Sequence, residues 1–179
     1  MIEIRSHGRG GQGAVTSARV LALAAVKEGK FGQASQTLLG DRRGAPVMAF
    51  TRIDDKRIGL RGPIQRPDYL IVLDPTLVKA IDLSADLKES SQIIINSPKN
   101  LGFKHQTTYV DATSIAIKNL GRPIVNTSML GAFAAATQLV SLASVVEAFL
   151  ELFGEKFSPQ QVKTNSKTIE ETYNEVRKA

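Results

Sequence analysis

Apolar residues alternate with polar ones at Ile2 and Ile4, as in a strand with one buried face. Residues 14–26 then read as a helix built largely from alanine, valine and leucine. A short second strand follows at residues 31–35, and residues 38–46, rich in glycine and arginine, read as a loop. Val47 to Ile53 alternates again. Asp54-Asp55-Lys56 can turn the chain into a return strand at residues 57–60, which predicts a β-hairpin near residues 47–60.

Tyr69-Leu70-Ile71-Val72-Leu73 is a continuous apolar run, the mark of a strand covered on both faces. Asp74 and Pro75 end it, and Thr76 caps a short helix. Residues 92–96 form a second buried strand stopped by Ser97-Pro98, and residues 107–110 a third. Asp111 then caps a helix that runs to Leu120. Residues 123–125 read as a last short strand. Asn126, Thr127 and Ser128 read as N-caps for a helix at 129–140, which is followed by helices at 144–153 and 158–177. Pro159 suits a first helical turn. The final helix is highly charged, with only Val162, Ile169, Tyr173 and Val176 as apolar contacts, so it packs on the outside, against the body or a partner. The order of elements predicts one α/β domain over residues 1–179, with a mixed, mostly parallel sheet flanked by helices.

Composition narrows the chemistry. Of the 179 residues 42% are hydrophobic and 22% charged, as expected of a soluble globular protein. The chain has no cysteine, which excludes disulfides, a thiol nucleophile and a cysteine-ligated cluster or zinc ion. With His7 and His105 as its only histidines, it gives little support to a multi-histidine metal site. Residues 123–146 carry no charge, yet Asn126, Thr127, Ser128, Thr137, Gln138, Ser141 and Ser144 fit a buried helical hairpin better than a membrane span. The N-terminus enters a strand at once, with no visible targeting segment, so a cytoplasmic protein is expected. The net charge of +6 comes from scattered residues without a stripe or interleaved aromatics, which points to a solvated basic surface rather than to nucleic acid.

The most informative segment is Gly8-Arg9-Gly10-Gly11-Gln12-Gly13, placed between a strand and a helix. Glycines there let the backbone turn tightly and bring N–H groups close to a partner, at a helix N-terminus suited to negative charge. The spacing also satisfies G-x-G-x-x-G. A dinucleotide site needs an acidic residue about twenty residues further on. Residues 32–36 hold none, and the next carboxylate after them is Asp41 in the arginine-rich loop. No Gly-Lys-Ser/Thr follows, so a nucleotide-hydrolysing P-loop is excluded. Three readings stand: a stand-alone Rossmann-like nucleotide-binding module, a loop that receives another subunit or a different phosphate-bearing molecule, and a tight turn without a ligand.

Gly40-Asp41-Arg42-Arg43-Gly44-Ala45-Pro46 presents two adjacent guanidinium groups just before a strand. They suit phosphate or carboxylate, unless the loop is simply solvated. His7, beside the glycine loop, reads as a hydrogen-bonding structural residue, and Asp68 and Asp74 as caps or turn residues. No self-contained catalytic set is present. Loops that look like a site, without the chemistry, suggest one subunit of a larger enzyme.

These segments, with Pro67-Asp68-Tyr69, Leu73-Asp74 and Asn126-Thr127-Ser128-Met129-Leu130-Gly131, resemble the gamma subunit of 2-oxoacid:ferredoxin oxidoreductases over nearly the whole chain. The pattern is most similar to the pyruvate (pyruvate synthase) and branched-chain types. The resemblance implies a hetero-oligomer with alpha, beta and delta-type subunits that passes electrons to ferredoxin, without nucleic-acid or membrane partners. It implies reversible conversion of a 2-oxoacid, coenzyme A and oxidised ferredoxin to acyl-CoA, carbon dioxide and reduced ferredoxin. It also implies that thiamine diphosphate, Mg and iron–sulfur clusters reside on other subunits, leaving no catalytic or metal-binding residue and no activity in this chain alone. Gly8, Arg9, Gly10, Gly11, Gln12, Gly13, Arg19, Arg42, Arg43, Asn126 and Thr127 are then the candidates to contact coenzyme A phosphates or neighbouring subunits.

Overall fold

The computed structural model describes residues 1–37 and 44–178. Arg42 and Arg43 therefore lie outside the described residues. The elements run β1 (Ile2–Arg9), α1 (Ala14–Lys27), β2 (Phe31–Gln36), β3 (Pro46–Asp54), β4 (Tyr69–Val72), α2 (Leu77–Ala80), β5 (Gln92–Asn96), β6 (Gln106–Val110), α3 (Ala112–Leu120), α4 (Asn126–Thr137), α5 (Leu142–Phe153) and α6 (Pro159–Lys178). Six strands form one mixed sheet in the order β2-β3-β1-β4-β5-β6. The steps from β1 through β4 and β5 to β6 are parallel, and β3 runs antiparallel to both β1 and β2.

The expected return strand at residues 57–60 is not formed. The antiparallel partner of β3 in the hairpin is the preceding strand, with Phe31 opposite Asp54 and Gln36 opposite Ala49. With β1 on its other side, β3 has no free edge left for a third strand. Residues 55–66 instead run as an irregular strap, anchored by the buried Ile64. Buried cations of the sheet hold this strap: Arg52 Nη1 donates to the Gly62 carbonyl at 3.1 Å and Arg5 Nη1 to that of Gln65 at 2.9 Å.

Alternation along β1 divides the chemistry of the sheet between its two faces. Ile4 points into the main core with Ala49, Ile53, Ile71 and Ile94, beneath α1, α4 and α5. Arg5 and His7 point to the other face, beside Leu70 and Val72 of β4 and Phe50 and Met48 of β3. There a smaller apolar cluster, Leu70, Val72, Leu77, Leu83, Ile93 and Ile95, closes off the parallel half.

The alanine content of α1 has a steric purpose. A Cβ on Gly32 of β2 would lie 2.0 Å from the Ala22 carbonyl oxygen, so helix and strand approach almost backbone to backbone. The uncharged segment 123–146 becomes the buried hairpin α4–α5, turned by Gln138 at φ 53° and capped by Ser141, whose Oγ accepts from Ser144 N–H at 3.1 Å. No helix is long and apolar enough to cross a membrane among the described residues. Residues 123–125 do not form the expected strand. Ile124 N–H closes a tight turn onto Arg122 O at 2.9 Å, and α4 starts at once, with Val125 at the N-cap position. Asn126, Thr127 and Ser128 therefore sit inside the first turn and cap nothing with their side chains. Outside α4 lies α6. Its polar Thr168 and Thr172 are buried without penalty because each hydroxyl donates to the carbonyl four residues back, at 2.7 and 2.9 Å.

Two outcomes follow. A Cβ on Gly131 would stand 2.1 Å from Ile169 O, so Gly131→Ala pushes α4 and α6 apart. It should lower stability by roughly 1–3 kcal/mol in urea denaturation. Gly59→Ala, where a Cβ meets nothing within 4 Å, should be close to neutral. Burial, and then Arg5 on the same face, push His7 from 6.5 down to about 4. Between those values the unfolded chain binds the proton and the folded chain does not. Stability therefore falls as pH drops from about 6.5 to about 4, by up to roughly 3 kcal/mol. His7→Leu should flatten denaturation midpoints measured across that window.

Candidate functional site

The glycine loop leaves the C-terminal end of β1 and delivers the chain to α1. Gly13, at φ 82°, is the N-cap residue, a conformation that side chains rarely tolerate. Among the described residues no side chain caps the helix, and its first turn holds no acidic residue. The orphan N–H groups and the positive end of the helix dipole therefore meet no acceptor side chain among those residues. They open onto a cavity of about 330 Å³ lined by Arg9, Gly10, Gly11, the first turn of α1 and Val47.

Arg9 and Gln12 are engaged within the loop. Arg9 donates from Nε to Asp74 Oδ2 at 3.0 Å, from Nη1 to the Gly44 carbonyl at 3.0 Å and from Nη2 to Thr76 Oγ1 at 2.8 Å. Gln12 accepts the Arg9 N–H at 2.7 Å and donates to Asp74 Oδ2 at 3.0 Å. Asp74 also accepts from the Thr76 N–H and hydroxyl, at 2.9 and 2.6 Å. Burial pushes its carboxyl up, but the Thr76 hydroxyl and N–H, the Gln12 amide and Arg9 together hold it below the usual carboxylate range. Thr76, expected to cap the short helix, makes no cap bond and is spent on this knot.

The second loop meets the first. Gly10 N–H donates to Ala45 O at 2.8 Å and Gly44 N–H to Gly10 O at 3.2 Å. The chain leading out of residues 38–43 is therefore pinned to the glycine loop. Asn126 closes the other flank, where its amide nitrogen would lie 2.6 Å from a Cβ on Gly13 and its carbonyl accepts from Ser17 Oγ at 3.3 Å. Thr127 is buried beside it, 2% exposed. Arg19 is exposed on α1, outside the lining of the glycine-loop cavity. His7 is buried, and neither ring nitrogen has a partner among the described residues, so the hydrogen-bonding role expected of it is not met there. Asp68 is structural: it accepts the Glu3 N–H at 2.8 Å and pairs with Lys88.

Sequence reasoning assigned Asp74 a turn but missed it as the keystone of the loop, since Arg9 and Asp74 are 65 positions apart. The topology also bears on the dinucleotide reading. In a Rossmann unit the strand after the first helix lies directly beside the first. Here β2 runs in the same direction as β1 but at the edge of the sheet, separated from it by the antiparallel β3. Among the described residues no group of three or more His, Cys, Asp or Glu could hold a metal ion.

Comparison with known proteins agrees with this architecture. Over 99% of its length the chain is 52% identical to the pyruvate synthase subunit PorC of Methanocaldococcus jannaschii, of which it covers 98%. It is 50% identical to the pyruvate/ketoisovalerate oxidoreductases common subunit gamma of Thermococcus kodakarensis, with 97% of this chain and 96% of that one covered. The crystal structure of the pyruvate oxidoreductase subunit PORC of Thermotoga maritima superposes with a TM-score of 0.82 at 35% identity, covering 97% of this chain and 95% of that one. The family model for pyruvate ferredoxin/flavodoxin oxidoreductases matches residues 3–175, and the chain belongs to that family, as a gamma-type subunit of its multi-subunit enzymes.

Proposed function

We propose that this subunit serves a thiamine-diphosphate-dependent enzyme that reversibly converts pyruvate, coenzyme A and oxidised ferredoxin to acetyl-CoA, carbon dioxide and reduced ferredoxin. Its own part is to receive the phosphates of coenzyme A at the N-terminus of α1. The observation that carries this reading is a helix N-terminus that has no side-chain cap among the described residues and no acidic residue in its own first turn, facing an open cavity. Arg42 and Arg43 belong to the loop whose far end is bonded to Gly10, and they supply the guanidinium forks in this reading. Arg9 acts behind them by holding the loop in shape.

The chain contributes no thiolate for an iron–sulfur cluster. Thiamine diphosphate, Mg and the clusters are assigned to alpha, beta and delta-type partners, which also carry the substrate pocket and pass electrons to ferredoxin. The complex works in the cytoplasm, and this subunit is inactive without its partners. One unit over residues 1–179 suffices for this role.

In the assembled enzyme, replacing Arg42 and Arg43 by alanine should raise the apparent KM for coenzyme A about tenfold, leaving the KM for pyruvate unchanged. Unaltered assembly and kinetics would remove the proposal. Arg9→Ala should instead lower the melting temperature of the subunit, because it leaves the largely buried carboxylate of Asp74 short of a partner. Ferredoxin-linked oxidation of pyruvate, 2-oxoisovalerate and 2-oxoglutarate by the purified complex, compared side by side, identifies the preferred oxoacid.

A further inference from the structure

A second cavity, of about 450 Å³, shares Thr16 with the glycine-loop cavity and lies where the ends of α3 and α5 meet the starts of α4 and α6. Its volume is in the range of small-molecule sites. Phe149, Phe153 and Phe157 form one wall. Their spacing of four residues aligns the rings, with centroids 5.5 Å apart for the first pair and 5.8 Å for the second. Phe157 and Ile124, both lining the cavity, are 36% and 39% exposed.

The polar lining is unusual. Thr127 Oγ1 and Asn126 Oδ1 are buried without a hydrogen-bond partner among the described residues. Thr168 and Thr172 relieve their hydroxyls on carbonyls one turn back, whereas Thr127 does not. An apolar occupant alone would leave these groups unmet. Among the described residues no carboxylate lines the cavity, and the one charged group that does is Arg122, which is exposed and has no ion pair among them.

We propose that this cavity is a binding site for a small aromatic carboxylate that carries a hydrogen-bond donor on its ring. The ring lies against the phenylalanine wall, the donor meets Thr127 and Asn126, and the carboxylate meets Arg122. This cavity adjoins the phosphate-receiving loop at Thr16, but its proposed ligand does not depend on the coenzyme reading.

The test titrates 3-(4-hydroxyphenyl)propionate into the full chain and into the assembled enzyme by calorimetry, with 3-phenylpropionate and 4-ethylphenol as comparators. Arg122→Gln should weaken the hydroxyphenyl acid about tenfold and leave 4-ethylphenol unchanged. Thr127→Val should weaken the hydroxyphenyl acid several-fold and leave 3-phenylpropionate unchanged. Because it removes an unpaired hydroxyl, Thr127→Val should also keep the melting temperature at or above that of the parent, which separates lost binding from lost folding. Three results overturn the site: no heat at millimolar probe, equal affinities in parent and variants, or binding to the free chain but not to the assembled enzyme. The last would give the cavity to a neighbouring subunit.

Discussion

The carboxylate of Asp74, only 12% exposed, organises everything at the C-terminal end of the central strands. It gathers the guanidinium of Arg9, the amide of Gln12 and both donors of Thr76. Arg9 and Gln12 begin and nearly end the glycine loop, and one arm of Arg9 reaches on to Gly44. A loop with so many glycines has little rotamer or steric reason to keep one shape. Here the shape is imposed from outside, by a charge at the end of the neighbouring strand. The direction of the free N–H groups at α1 is therefore set by a side chain that has no need to touch a ligand.

The two faces of the sheet solve different problems. One is closed by helices whose small residues permit near contact, as at Gly32 against Ala22 and Gly131 against Ile169. That closeness fixes where the helix ends fall, and the ends of α1 and α4 meet at Gly13 and Asn126. The other face carries Arg5, His7 and Arg52 inside the protein, where carbonyl oxygens and Glu3 offset part of the burial cost of the arginines. The histidine avoids that cost by staying neutral.

Much of this was legible from residue order. The strand–loop–helix at residues 2–27, the buried runs at β4 and β5, and the cap at Asp111 all follow local rules, and Asp111 does accept the Ser114 N–H at 3.0 Å. Failures arose where a distant partner overrode a local signal. Residues 57–60 alternate well enough for a strand but find both edges of β3 already taken. Asn126, Thr127 and Ser128 are good caps by type, yet the helix starts one residue earlier than a cap at Asn126 would require. Arg9 looked available because a sequence shows a charge but not the carboxylate that claims it. The phenylalanine wall was invisible for a related reason: periodic aromatics in a helix ordinarily signal core, and only the packing leaves space beside them.

The strap over residues 55–66 is gripped by its main chain. Arg52 and Arg5 bond to the carbonyls of Gly62 and Gln65, groups that every amino acid possesses, and Ile64 alone is buried by its side chain. Its outward residues, Lys56, Arg57, Leu60, Arg61 and Arg66 among them, can be exchanged without loosening the hold. The fold thus carries a stretch of surface whose path is inherited from the sheet and whose character is free to drift.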